Sequence, residues 1–378
     1  VSVPFPILLR SRLQDLRNAA LPILQATLAA GAAWLVARHV LGHPQPYFAP
    51  IAAVISVGAS HLARGRRTIE LVVGVALGIA IGDLLIAGIG VGVLQLMLVV
   101  ALAMSAAVLV GGGPLLVTQA AFSAVLVATV QPPTHGIYWG RFTDALVGGA
   151  LGLLVTALVP VDPIALARRA AAPLLEELAT TIEAVAVALA QQDHAAAVRA
   201  LQRARQLDER SGALHAAVLA GDETTRLAPQ RWSDRDELVS YADADLALDL
   251  AGRNVRVLAR GTLRAIELAE HVPPELVLAL GDLADAVRAL EPALGQPEGA
   301  ARTTAREAAL QAAARATLAL ERTGNLAVSV LVGQVRATAT DLLRGLGIAP
   351  REARDAVREA ADRERQRELE DAPAPVDQ

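Results

Sequence analysis

Between Ala19 and Val159 the chain is a succession of apolar runs separated by short polar, glycine-rich or proline-rich breaks. The runs lie at Ala19–Leu41, Tyr47–Leu62, Ile69–Ile89, Val91–Val110, Pro114–Val130 and Phe142–Val159. A helix that is apolar all round is buried either in a large protein or in lipid. Several of these runs sit at the short end of the ~17–25 residues that a bilayer crossing takes. The breaks are tight: Gly42–Pro46 holds two prolines, Gly111-Gly112-Gly113 is a glycine turn, and Pro132-Pro133 lies in the break before Phe142. The pattern predicts six transmembrane helices. In the third run, Gly74, Gly78 and Gly82 form a stripe four residues apart. Each interior Gly weakens a helix in water by ~1 kcal/mol relative to Ala. In lipid the same spacing lets two helix backbones approach closely.

Beyond Val161 the pattern changes to amphipathic helix. Leu175, Leu178, Ile182, Val185 and Leu189 step by three and four, as does the series Leu238, Tyr241, Asp245, Leu248, Gly252, Val255, Ala259, Thr262, Ile266 and Ala269. Such spacing predicts helices with an apolar seam. Residues 221–234 read as a loop, and Pro273-Pro274 and Gly295–Gly299 as helix breaks. From Arg351 to Glu370 charge dominates, which predicts a solvated helix, and Ala372–Gln378 reads as a disordered end. The organisation is therefore a segment 1–18, a membrane region 19–161, a helical region 162–349 and a charged tail 350–378. The fold class is an all-α membrane protein: six transmembrane helices followed by a cytoplasmic α-helical bundle.

Charge sharpens the boundary and sets orientation. Residues 1–161 hold eight Arg and four acidic residues, whereas the rest of the chain holds 26 Arg and 34 acids. Placed with the N-terminus inside, the inner side collects Arg10, Arg12, Arg17, Arg64, Arg66, Arg67, Arg168 and Arg169, and the outer side keeps Arg38 and Arg141. Arg concentrates on the cytoplasmic flank of spans, so both termini are expected in the cytoplasm. The first residues show no cleavage site of the secretory kind. There is no Cys and no Lys. Zinc–thiolate sites, disulfides and thiol nucleophiles are excluded, and so is a P-loop with its lysine. His39, His43 and His135 show no metal-ligand spacing, so no metal or cofactor is expected.

Gly65-Arg66-Arg67-Thr68 and the following Leu71, Val72 and Gly74 recur at an offset of 75 as Gly140-Arg141-Phe142-Thr143, Leu146, Val147 and Gly149. A short match of this length also arises by chance. As a repeat, it gives two units of three helices, the second inverted in the membrane, which is a recurrent transporter architecture. Within the spans the ionisable residues are few. Asp83 lies deep in the third run, where a carboxylate is costly unless paired or wetted, so it reads either as functional or as capping the outer helix end. Arg38 reads as a path residue or as a snorkelling side chain. Arg141 and Asp144 are three apart, which suits a structural pair and substrate contact alike. The inner-side turn holds Arg66, Arg67 and Glu70, and an interfacial ion pair is the simpler reading of Glu70.

Tyr47-Phe48-Ala49-Pro50, the Gly65–Thr68 turn with its glycine helix, and the segment from Arg141 to Pro160 resemble the fusaric acid resistance/aromatic acid exporter family. So does the stretch from Val332-Gly333-Gln334-Val335-Arg336 to Asp341-Leu342-Leu343. The resemblance implies export of aromatic or other organic acid anions driven by protons, from the bacterial inner membrane. Larger members of that family carry two six-helix units. This chain has one, as do the similar plant organic-anion channels, which implies a homodimer. The seam from Leu238 to Ala269, with small residues at Gly252 and Ala259, is expected to pack against the second copy. The partners expected are small organic acid anions, protons, the lipid bilayer and a second copy, with no nucleic acid. A passive anion channel and a non-transporting membrane-anchored scaffold remain the alternatives, and catalysis has no nucleophile–base pair or metal cluster to support it. On the exporter reading the path runs between the repeats past Arg38, Asp83, Arg141 and Asp144, with Asp83 as the proton acceptor.

Overall fold

The computed structural model describes residues 5–60, 65–90, 92–129, 139–296, 299–323 and 325–371. Among them the regular structure is all helix. The chain divides into two compact units: Val1–Val161 with Glu223–Trp232, and Asp162–Asp222 with Ser233–Gln378.

Six helices of the first unit occupy the six apolar runs: α1 (Phe5–His39), α2 (Phe48–Ser60), α3 (Gly65–Ile89), α4 (Val93–Leu109), α5 (Pro114–Thr129) and α6 (Trp139–Leu158). α1 starts well before the expected Ala19 and carries Pro22 within it. Ala20–His39 and Trp139–Leu158 are long and apolar enough to cross a membrane by themselves, while α2 to α5 contribute shorter apolar stretches. Large apolar side chains point outwards. On α4, Val99, Ala103 and Ala107 are buried, while Leu94 and Met97 are 77% and 64% exposed. A surface of this kind is a liability in water and natural in lipid.

The helices form two groups of three. α1, α2 and α6 pack on one another, as do α3, α4 and α5, and the groups meet through α2 on α3 and α3 on α6. Glycines set the closest approaches. A Cβ added at Gly78 would lie 2.6 Å from the Ala120 carbonyl oxygen on α5. At Gly152 it would lie 2.7 Å from the Ala53 carbonyl on α2, and at Gly148 it would collide with the Ala49 carbonyl. Gly74 and Gly82 instead face side chains of α5, where an added Cβ would lie 2.7 Å from Leu116 and 3.3 Å from Val127. Ser56 adds a hydrogen bond to the Gly149 carbonyl at 3.0 Å.

The second unit holds α7 (Pro163–Gln191), the first part of α8 (His194–Leu227), α9 (Arg235–Glu267), α10 (Pro274–Ala293), α11 (Ala300–Glu321), α12 (Leu326–Gly345) and α13 (Pro350–Asp371). Local signals explain the ends. Asp162 caps α7, its carboxylate accepting from the Ala165 amide at 2.9 Å, with Pro163 in the first turn. Asn325 caps α12 in the same manner. The seams of α7 and α9 are both spent inside this unit: Leu178, Ile182 and Val185 share one core with Leu248, Val255 and Ala259. The α9 seam, expected to face a second copy, is therefore already covered. Leu326–Gly345 is apolar enough to cross a membrane by length and composition. Its Leu331, Val335 and Leu342 nevertheless belong to this same core.

Two further expectations are corrected. The stretch 221–234 is not a loop: α8 runs to Leu227 and a 3-10 turn covers Pro229–Asp234. Gly221 is a packing residue, since a Cβ there would sit 2.9 Å from Leu238. The charged segment keeps an apolar edge after all. Ala353, Val357, Ala360 and Ala361 of α13 are buried, a strip narrow enough to be hidden by the charges around it. Residues 372–378 lie outside the described residues.

Candidate functional site

The site forms where the end of α3 meets the start of α6. Asp83 stands near the C-terminus of α3 and Arg141 near the N-terminus of α6, and Arg141 donates from Nη1 to Asp83 Oδ1. Their side chains are 3% and 7% exposed. Arg141 lies in the first turn of α6, where a cation is disfavoured, and Asp83 lies more than one turn before the end of α3. What holds them is the pair, and a buried pair of this kind needs good geometry to offset the desolvation of both ions.

One turn further along α6, Asp144 is also buried, and its partner comes from the loop between α1 and α2. His43 Nδ1 lies 2.6 Å from Asp144 Oδ1. The loop is held in place from within. Gly42 adopts a positive φ of 72°, which reverses the chain at the end of α1. The His43 amide then bonds the Ala37 carbonyl at 3.0 Å. Arg38 reaches from α1 to the Pro44 carbonyl, also at 3.0 Å. Trp34 and Tyr47 stack edge to face beside it, with centroids 6.1 Å apart.

The structure thus brings Asp83, Arg141 and Asp144 together and leaves Arg38 exposed, clasping the loop that carries His43. His43 is the addition that spacing alone did not reveal, since its partner lies 101 residues away. Gly74, Gly78 and Gly82 line the α3–α5 contact. Arg66, Arg67 and Glu70 fall within the first turns of α3, and their side chains lie outside the described residues.

A groove of about 510 Å³ opens between α2 and α5, lined by Pro50, Ile51, Val54, Thr118, Gln119 and Phe122. Its walls are apolar apart from the Gln119 amide and the Thr118 hydroxyl, and the latter is bonded to the Pro114 carbonyl. Such a cleft suits a flat apolar ring better than a compact ion. No group of three or more potential metal ligands occurs among the described residues.

Residues 32–155 match the fusaric acid resistance protein-like family. An uncharacterized protein of Corynebacterium glutamicum is 38% identical over 277 residues, which span 73% of this chain and 71% of that protein. Proteins of Mycobacterium tuberculosis and Mycobacterium bovis, each named "putative arylamide transporter", are 36% identical over 264 residues, 66% of this chain and 72% of theirs. No solved structure matches.

Proposed function

The chain belongs to the fusaric acid resistance protein-like family, and from that premise we propose that it is a membrane transporter exporting aromatic or other organic acid anions. The observation that carries the proposal is the buried Arg141, held by Asp83 where the two three-helix groups meet. An anion leaving water loses hydration, and a guanidinium offers a planar pair of donors to replace it. Asp83 holds that guanidinium, so a substrate carboxylate binds by displacing it.

The architecture is consistent with two inverted units of three helices. Exchanging α1 with α4, α2 with α5 and α3 with α6 maps one three-helix group onto the other. The Gly-Arg-x-Thr motif opens both α3 and α6. Glycines of α3 approach α5 just as glycines of α6 approach α2. On this reading α1 to α6 cross the inner membrane with both termini in the cytoplasm, and the second unit is a cytoplasmic helical domain. A homodimer joined through the membrane helices is part of the same proposal, since the α9 seam is not free to serve.

The groove between α2 and α5 supplies a surface for the aromatic part of the substrate. The mycobacterial relatives carry a name that designates arylamides, which are uncharged. Counterflow with benzoate and with a neutral benzanilide separates the two classes: stimulation by benzoate supports the anion reading, and stimulation by the amide alone replaces it. Proton coupling marks the exporter reading, and flux indifferent to a pH gradient would favour the passive channel.

A further inference from the structure

We infer that His43 and Asp144 together form the proton-binding site of this transporter, an inference that rests on the proton-coupled reading above. Among the described residues, two buried carboxylates are candidates in the α3–α6 region, and their partners differ in kind. Asp83 is bound to Arg141, a permanent cation. A proton placed on Asp83 while it is the partner of Arg141 deprives that buried guanidinium of this counter-charge, which is strongly unfavourable. Asp144 is bound to an imidazole. Histidine gains and loses its proton near neutral pH, so this pair passes between a net charge of −1 and zero without stranding a fixed ion.

The burial is graded in the right sense. The His43 side chain is 19% exposed, while that of Asp144 is 3% exposed. The imidazole is the more exposed member, and its Nδ1 faces a carboxylate almost wholly removed from solvent. The charged groups around it act as a stable frame. Arg141 precedes Asp144 by one turn of α6 and is matched by Asp83 from α3. From α1 come Arg38, bonded to Pro44, and the exposed His39. The exposed Tyr47 lies just before α2, and α2 itself carries no titratable side chain. Because Gly42 and the Arg38 clasp fix the loop backbone, the imidazole is held against α6 by the fold and not by its bond to Asp144 alone.

A purely structural latch between the loop and α6 would show the same contact, so the test must read protons. The full-length protein, labelled with 15N-histidine in nanodiscs, is titrated by NMR from about pH 5 to 9. The expected result is an imidazole resonance that is absent in His43→Gln and whose titration changes in Asp144→Asn. A midpoint unchanged by Asp144→Asn overturns the proposal. In proteoliposomes, the ratio of labelled benzoate flux with and without a pH gradient should fall to unity in His43→Gln. If His43→Gln retains the wild-type ratio, the proposal falls while transport stands. If the wild type moves no benzoate but the two residues still titrate as a pair, the transport reading falls and the proton site stands.

Discussion

Arg141 and Asp83 close an ion pair from the opposite ends of two different helices, with both side chains almost wholly removed from solvent. Removing one member of a buried pair typically destabilises by ~3–5 kcal/mol, because the other charge is left unmatched. Arg141→Leu and Asp83→Leu should each lower the unfolding midpoint of the detergent-solubilised protein. The double variant should recover most of that loss by differential scanning fluorimetry. If both single variants unfold at the wild-type temperature, the pair is not a structural unit.

The glycine contacts predict a sharp division among alanine substitutions. Gly78→Ala and Gly152→Ala place a methyl against a backbone carbonyl and should destabilise by ~1–3 kcal/mol through overpacking. Gly31→Ala in α1 meets nothing within 4 Å and should be neutral or stabilising, by up to ~1 kcal/mol. Equal effects at these three positions would refute close packing of α3 on α5 and of α6 on α2.

In the second unit two carboxylates respond to pH with opposite signs. Burial raises the pKa of Asp341, against the pull of Arg344 and Asn254. Its contribution is fully present below the ordinary carboxylate range and lost as pH rises through the folded value. Glu183 is lowered by its hydrogen bonds from Arg288. Its contribution is present above the ordinary range and lost as pH falls through the folded value. Asp341→Asn should therefore remove a loss of stability on the rising side of that range. Glu183→Gln should remove part of the acid-side loss, weakly, since that pair is solvent-screened. Urea unfolding across pH reads both slopes.

Because the chain contains no cysteine, single cysteines report topology directly. A cysteine at Gln45, in the loop before α2, should react with an impermeant maleimide on intact cells. One at Gly112, in the turn before α5, should react only after permeabilisation. Reaction at Gly112 in intact cells contradicts the orientation proposed from the arginines.

The apolar runs and the glycine stripe are legible in the sequence because both are local: composition declares a span, and spacing declares a face. Gly74, Gly78 and Gly82 could be read as a packing edge, although nothing local says that α5 is the partner. Asp83 and Arg141 stand out because ions are rare in such runs, yet the bond between them joins residues 58 apart and follows from how α3 meets α6. His43 carries no local signal beyond lying between Gly42 and Pro44. The α9 seam shows the opposite failure. Its periodicity is real, but the same pattern serves an intramolecular core and a dimer equally well.

The most direct test of the account is efflux of labelled benzoate from proteoliposomes containing the purified wild type or Arg141→Ala, each scored by circular dichroism as folded. The account predicts saturable efflux above that of protein-free liposomes for the wild type. It also predicts a fall of about tenfold or more in Arg141→Ala, the equivalent of one lost charge-assisted contact. Efflux at the protein-free level in the wild type, or undiminished efflux in a folded Arg141→Ala, would contradict it.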